Sequence, residues 1–189
     1  MKSSFDLRLA RHYDELKWLY YGLYHSDQAA FSYFVDMLRR CWRERKRALR
    51  DQDKRRQASP GWYRRRDLLG MMLYVGAFAG TLKGVEEKLP YLKECGINYL
   101  HLMPLLESPK GRSDGGYAVS NFRAVQPELG TMEDLEHLAD ACRKAGISMC
   151  LDFVMNHTSQ DHEWAKRALA GDPGCRERYF FYDSWDIPS

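Results

Sequence analysis

The sequence predicts an α/β protein in two parts, a helical N-terminal domain over residues 1–68 and a series of strand–helix units over residues 69–189. Three observations predict it. Apolar residues recur at helix spacing up to about Arg66, short apolar runs alternate with helical patterns from Met71 onward, and the links from each helix back to the next strand are short. Strand–helix–strand–helix–strand with such links is the pattern of a parallel sheet with right-handed crossovers.

In the first part, Leu16, Leu19 and Leu23 mark one helix face, and Phe31, Phe34, Leu38 and Trp42 mark a second. The second helix is expected to continue through the polar residues 43–57 and to stop before Ser59-Pro60-Gly61, a strong breaker. Residues 71–75 then form a buried strand, with Gly76-Ala77-Phe78-Ala79-Gly80 as the loop behind it. Leu82, Val85, Leu89 and Leu92 define a helix capped by Gly96. Pro90 predicts a kink inside that helix, because it removes one backbone hydrogen bond.

Residues 97–103 form the second strand, ended by Pro104, and a loop rich in Pro, Gly and Ser reaches about Gly130. Thr131-Met132-Glu133-Asp134 opens the next helix as a capping box with Asp in place of Glu. Leu135, Leu138 and Cys142 form its buried stripe, and Gly146 ends it. Ile147, Met149, Leu151 and Phe153 alternate as the third strand. One more helix is expected over about residues 163–170, ahead of the aromatic run Tyr179-Phe180-Phe181-Tyr182.

Composition narrows the function classes. A hydrophobic fraction of 44% is ordinary for a globular chain. No run approaches the roughly 18 apolar residues of a membrane helix, so no membrane partner is expected. The segment Met1-Lys2-Ser3-Ser4-Phe5-Asp6 has no signal-peptide character, which predicts a cytoplasmic location. The five cysteines include no Cys-x-x-Cys pair and read as reduced thiols, with Cys41, Cys95 and Cys142 expected on apolar helix faces. No metal and no organic cofactor is expected.

The net charge of +3 is unevenly spread, because between residues 39 and 66 the cations far outnumber Glu44, Asp51 and Asp53. Clustered cations suit phosphate, so a nucleic-acid-binding module is the rival from another class. No binding motif accompanies the stretch, and a charged helix run is ordinarily a solvated face. The expectation is therefore no nucleic-acid partner.

Two motifs carry chemistry. Ser113-Asp114-Gly115-Gly116-Tyr117-Ala118-Val119-Ser120 lies in the loop behind the second strand, and Asp152-Phe153-Val154-Met155-Asn156-His157-Thr158-Ser159 ends the third. Strand-to-helix loops open on one rim, so the two can converge. Singly, each residue has a plain reading: Asp114-Gly115-Gly116 is a turn, Asn156-His157 a loop end, Asp152 structural, and His101 a satisfied core or rim histidine.

Together with Tyr74-Val75-Gly76-Ala77-Phe78-Ala79-Gly80, Tyr99-Leu100-His101-Leu102-Met103-Pro104-Leu105, Asp161-His162-Glu163-Trp164-Ala165 and Ala170-Gly171-Asp172-Pro173, the two motifs resemble the amylosucrase branch of glycoside hydrolase family 13, the α-amylase family. The likeness covers about residues 74–173, and the N-terminal helices suit the helical domain that precedes the barrel in that branch. One departure stands out. Gly76-Ala77 occupies a place where the branch usually has an acidic residue followed by a larger apolar one. No sugar contact is assigned to that loop.

The resemblance implies that residues 69–189 are the first three β/α units of an incomplete TIM (β/α)8 barrel. It also implies three substrate-binding residues. Tyr117 would stack on the glucosyl ring, Asp114 would accept hydrogen bonds from its hydroxyls, and His157 would donate to a hydroxyl and help stabilise the oxocarbenium-like transition state. A pocket closed in this way suits a disaccharide such as sucrose. Asn156 matches a calcium position of the classical amylases, but the sucrose-acting branch generally does without that ion.

In the family the nucleophilic Asp follows strand four, the acid/base Glu strand five, and a third Asp strand seven. The chain ends before strand four, so no catalytic residue is assigned to it. A whole barrel takes about 250 residues, and fewer than half that number follow Met71. The expectation is an N-terminal fragment, inactive alone, of a sucrose-cleaving retaining α-transglucosylase that builds α-1,4-glucan on a glucan acceptor and releases fructose. A sucrose hydrolase or another α-amylase-family glycosidase is the near alternative.

Overall fold

The structure, a computed structural model, describes residues 3–184 and Asp186, so the extreme ends of the two expected domains lie outside the described residues. The chain divides into two compact units, Met1–Tyr63 and Arg64–Ser189.

The first unit holds α1 (Ser4–Tyr24), α2 (Gln28–Glu44) and α3 (Arg47–Ala58). A capping box between Ser3 and Asp6 starts α1, and the Asp27 side chain starts α2 by accepting from the Ala30 N–H. The core is aromatic. Phe31 is fully buried, with Tyr13 edge-on at 5.5 Å between centroids, and Tyr20 stacks on Phe34 at 5.3 Å. No residue of α1 is fully buried; Tyr13, Tyr20 and, of the expected leucine face, Leu16 are half-buried, while Leu19 and Leu23 are exposed.

The long second helix expected through residue 57 is broken. Arg45 turns extended at ψ 126°, and its guanidinium forks onto Asp53 at 2.8 and 3.0 Å, tying the end of α2 to α3. The cations of this stretch are largely engaged within the unit. Arg39 pairs with Asp36, Arg47 and Lys54 with Asp51, while Arg50 lies over Trp42 and Arg56 over Trp62.

In the second unit, β1 (Gly70–Leu73), β2 (Tyr99–Leu102) and β5 (Ser148–Leu151) form a parallel three-stranded sheet with β2 in the centre. The connections run through α4 (Val75–Ala79), α5 (Leu82–Glu87) and α6 (Leu89–Glu94), and later α7 (Met132–Lys144). This is the expected α/β unit, a partial TIM barrel. β2 and β5 are shorter than expected at both ends, whereas β1 begins one residue earlier, at Gly70, and stops two residues sooner. The segment read as a loop behind β1 instead coils into α4, and the kink expected at Pro90 is a full break at Lys88, with Pro90 in the first turn of α6.

The loop of residues 104–130 contains a small antiparallel ladder, β3 (Leu106–Glu107) with β4 (Asn121–Val125). β3, with two residues, is too short to show alternation in sequence. Beyond β5 come α8 (Glu163–Leu169) and a short α9 (Pro173–Arg176).

One sheet face makes the core. Leu73, Leu100 and Leu102 are buried with Leu82, Val85, Leu89, Leu92, Leu135, Leu138 and Cys142 from the helices. Burial pushes the Cys142 thiol up to about 11, so it packs as an inert small hydrophobe. Cys41 and Cys95, expected on apolar faces, are exposed instead. The capping box on α7 forms as expected, and the Thr131 backbone N–H, donating to Asp134, holds that carboxyl below its ordinary range. No described helix is long and apolar enough to cross a membrane.

A close approach at Gly84 yields a sharp prediction. A Cβ there would lie 2.1 Å from the Ala79 carbonyl oxygen at the end of α4. Gly to Ala in a helix is ordinarily worth about 1 kcal/mol of added stability. Here the collision is with backbone, and overpacking costs about 1–3 kcal/mol. Gly84→Ala is expected to lower the thermal midpoint, and a raised midpoint in calorimetry would contradict the α4–α5 approach.

Candidate functional site

Parallel pairing puts Met72, His101 and Cys150 side by side on the sheet face opposite the helices. Asp152, two residues beyond Cys150, points the same way. Its Oδ1 lies 3.0 Å from His101 Nε2, and its Oδ2 accepts from the Tyr117 hydroxyl at 3.2 Å. An ionised carboxylate only accepts, so the proton on this contact sits on His101 Nε2. His101 and Asp152 are both partly buried, at 30% and 22% side-chain exposure, which shields the pair from full solvation without removing access.

Tyr117 arrives on a tight turn. Asp114, Gly115 and Gly116 all have positive φ, at 49°, 65° and 96°. A Cβ on Gly116 would come within 2.8 Å of Pro104 Cβ, so this turn presses against the end of β2 where only glycine fits. Gly115 passes beneath the Tyr74 hydroxyl, 3.4 Å from where a Cβ would stand. The Gly116 and Ala118 N–H groups both donate to Ser113 O at 2.9 Å, closing the turn on itself.

Two further ties hold this loop to the segment beyond β5. The Ser159 N–H donates to Val119 O at 2.8 Å, and Arg112 pairs with Asp161 at 2.8 Å. Removal from water, then the hydrogen bond to Asp152, then the charges of Asp152, Tyr74 and Asp114 push the Tyr117 phenol above its ordinary range. It stays neutral, and a donor, well into alkaline pH.

Of the three substrate-binding residues expected from sequence, the structure puts Asp114 and Tyr117 on one turn. Asp114 is exposed. His157 is also exposed, with its Nδ1 3.3 Å from Asn156 Nδ2, and no hydrogen bond joins it to Asp114, Tyr117 or Asp152 among the described residues. Of the two residues read as structural, Asp152 bonds Tyr117 directly and His101 joins it through Asp152. The signal for them was the strand alternation that places His101 and Asp152 on the face away from Leu100 and Leu102. Among the described residues no group of three His, Cys, Asp or Glu is arranged to hold a metal ion.

This arrangement is an aromatic ring with a fixed hydroxyl, a bridging carboxylate and a rim carboxylate at the C-terminal edge of parallel strands. It can stack on the apolar face of a pyranose and accept hydrogen bonds from its hydroxyls. Known proteins of similar sequence and structure are carbohydrate-active enzymes. The chain is 42% identical over 104 residues to Maltase 1 of Drosophila virilis, which covers 55% of this chain and 16% of that protein. It is 47% identical over 95 residues to trehalose synthase/amylase TreS of Mycolicibacterium smegmatis, covering 50% and 16%.

Among solved structures, a family GH13_31 enzyme superposes with a TM-score of 0.58 at 37% identity, covering 63% of this chain and 23% of that one. A MutB variant in complex with the substrate sucrose gives 0.59 at 35% identity, covering 68% and 24%. The matched segment thus spans about a sixth of those curated relatives. The model of the alpha amylase catalytic domain matches residues 36–188, most of the chain, and on that match the chain belongs to the α-amylase family of glycoside hydrolases.

Proposed function

We propose that this chain supplies the glucosyl-binding side of a retaining α-amylase-family enzyme that takes sucrose as its glucosyl donor. The observation that carries the proposal is the Tyr117–Asp152–His101 cluster with Asp114 on the same turn, which presents a ring and two carboxylates at the strand ends. In this reading Tyr117 stacks on the glucosyl ring, and Asp114 and His157 bind its hydroxyls from the rim. Sucrose as donor is supported by the motif resemblance to the amylosucrase branch and by the likeness to a sucrose-bound structure.

In this reading the nucleophile and acid/base come from later strands of a complete barrel, and no residue of this chain is assigned to those roles. Fructose is the leaving group, and the glucosyl unit passes to an α-glucan hydroxyl with retention. No metal or organic cofactor takes part. We assign no nucleic-acid partner, because the cations of residues 39–56 are largely engaged with Asp36, Asp51, Asp53, Trp42 and Trp62.

A second reading, hydrolysis of an α-glucosyl disaccharide, is favoured by the maltase likeness. One experiment separates the two. In a polypeptide carrying this chain within a complete barrel, sucrose with a glycogen primer is expected to yield fructose in excess of free glucose. Equal amounts would establish hydrolysis, and no fructose with glucose released from maltose would remove sucrose as the donor.

A further inference from the structure

We infer that His101 is a positioning residue, which, through Asp152, sets the orientation of the Tyr117 ring. The inference rests on the reading of Tyr117 as the sugar-facing aromatic. Tyr117 sits on a loop, and loops are the mobile part of a parallel α/β unit. His101 sits on β2, the central strand, hydrogen-bonded on both sides by β1 and β5. Between them stands one carboxylate whose two oxygens are each engaged, Oδ1 by His101 Nε2 at 3.0 Å and Oδ2 by the Tyr117 hydroxyl at 3.2 Å.

A carboxylate held at one oxygen still rotates about its Cβ–Cγ bond, whereas one held at both has a defined plane. The His101 contact therefore aims Oδ2 at the phenol, and the phenol contact fixes the far end of a ring whose near end is already placed by the Ser113–Ala118 turn. The rigidity of the sheet centre is thereby passed to a loop residue 16 positions away in sequence.

Other groups near the ring do not perform this task. Tyr74 approaches Gly115, and Asp114 acts on Tyr117 through its charge. Among the described residues neither is hydrogen-bonded to Asp152. His101 donates from a nitrogen at the tip of a short, stiff side chain, so a carboxamide of similar reach can replace it, but a methyl group cannot.

The test uses the chain itself, with no sugar and no turnover. Tyrosine labelled at Cζ reports phenol ionisation by NMR, and the Tyr117 signal is identified by Tyr117→Phe. Wild-type Tyr117 is expected to ionise above the ordinary tyrosine range. His101→Ala is expected to move that titration down toward the ordinary range and to broaden the ring signals, while His101→Gln is expected to restore both.

If His101→Ala fails to fold, His101→Asn, whose shorter carboxamide stops short of Asp152, is expected to give the same downward move. An unchanged Tyr117 titration in the His101 variant that folds would overturn the inference. The sugar reading fails separately, if a polypeptide carrying the complete barrel, with an intact Tyr117 signature, binds sucrose no more tightly than its Tyr117→Ala variant.

Discussion

Tyr117→Ala is expected to weaken retention of the glucosyl ring at least thirtyfold, the consequence of losing about 2 kcal/mol or more when a central aromatic contact is truncated. In the proposed reading the side chain provides the stacking face, and its hydroxyl bond to Asp152 sets the angle of that face. Tyr117→Phe separates the two contributions. It keeps the ring and removes one hydrogen bond worth about 0.5–1.5 kcal/mol, so a loss of about tenfold or less is expected. The measurement is sucrose affinity in a polypeptide that carries the complete barrel. Equal affinities for wild type and Tyr117→Ala would show that the ring faces something other than sugar.

Leu100→Ala is expected to cost about 2–5 kcal/mol, the usual penalty for emptying a fully buried leucine site. Leu100 is fully buried, and it lies on the central strand, where no edge is free to collapse into the void. For a unit of this size that loss lowers the thermal midpoint by roughly 10 °C or more. Met72→Ala is the matched control on the opposite sheet face, where the residue is 64% exposed, and it is expected to change stability by about 0.5 kcal/mol or less. Similar losses for the two variants would mean that the core and open faces of the sheet have been exchanged.

The helical stripes that build the core are legible in the amino-acid sequence alone. Leu82, Val85, Leu89 and Leu92, and then Leu135, Leu138 and Cys142, are buried as their spacing predicts, and the Thr131–Asp134 capping box forms. The failures cluster where non-local partners override local pattern. The second helix breaks because Arg45 is drawn to Asp53, and α1 turns its tyrosines inward because Phe31 and Phe34 offer ring partners that leucine spacing does not reveal. Cys41 and Cys95 are exposed because an apolar neighbour in sequence is no guarantee of a helix packed over it.

At the site the division is similar. The Asp-Gly-Gly-Tyr turn is legible because three consecutive positive φ angles demand glycine or aspartate, and its resemblance to a family motif carries Asp114 and Tyr117 with it. Strand alternation places His101 and Asp152 on one sheet face, but that they meet Tyr117 there is not legible, since each alone reads as an ordinary strand-end polar residue.

The sequence by itself determined the class of fold and the order of its main strands and helices, because periodicity, caps and turn residues act over a few positions, and its motifs carried the resemblance to the α-amylase family. Only the tertiary structure decided which polar groups meet. His101 and Asp152 are 51 residues apart, and Tyr117 and Asp152 are 35 apart. Their meeting depends on the register that aligns Met72, His101 and Cys150 across three strands, and a slip of one residue in β5 would turn Asp152 to the other face.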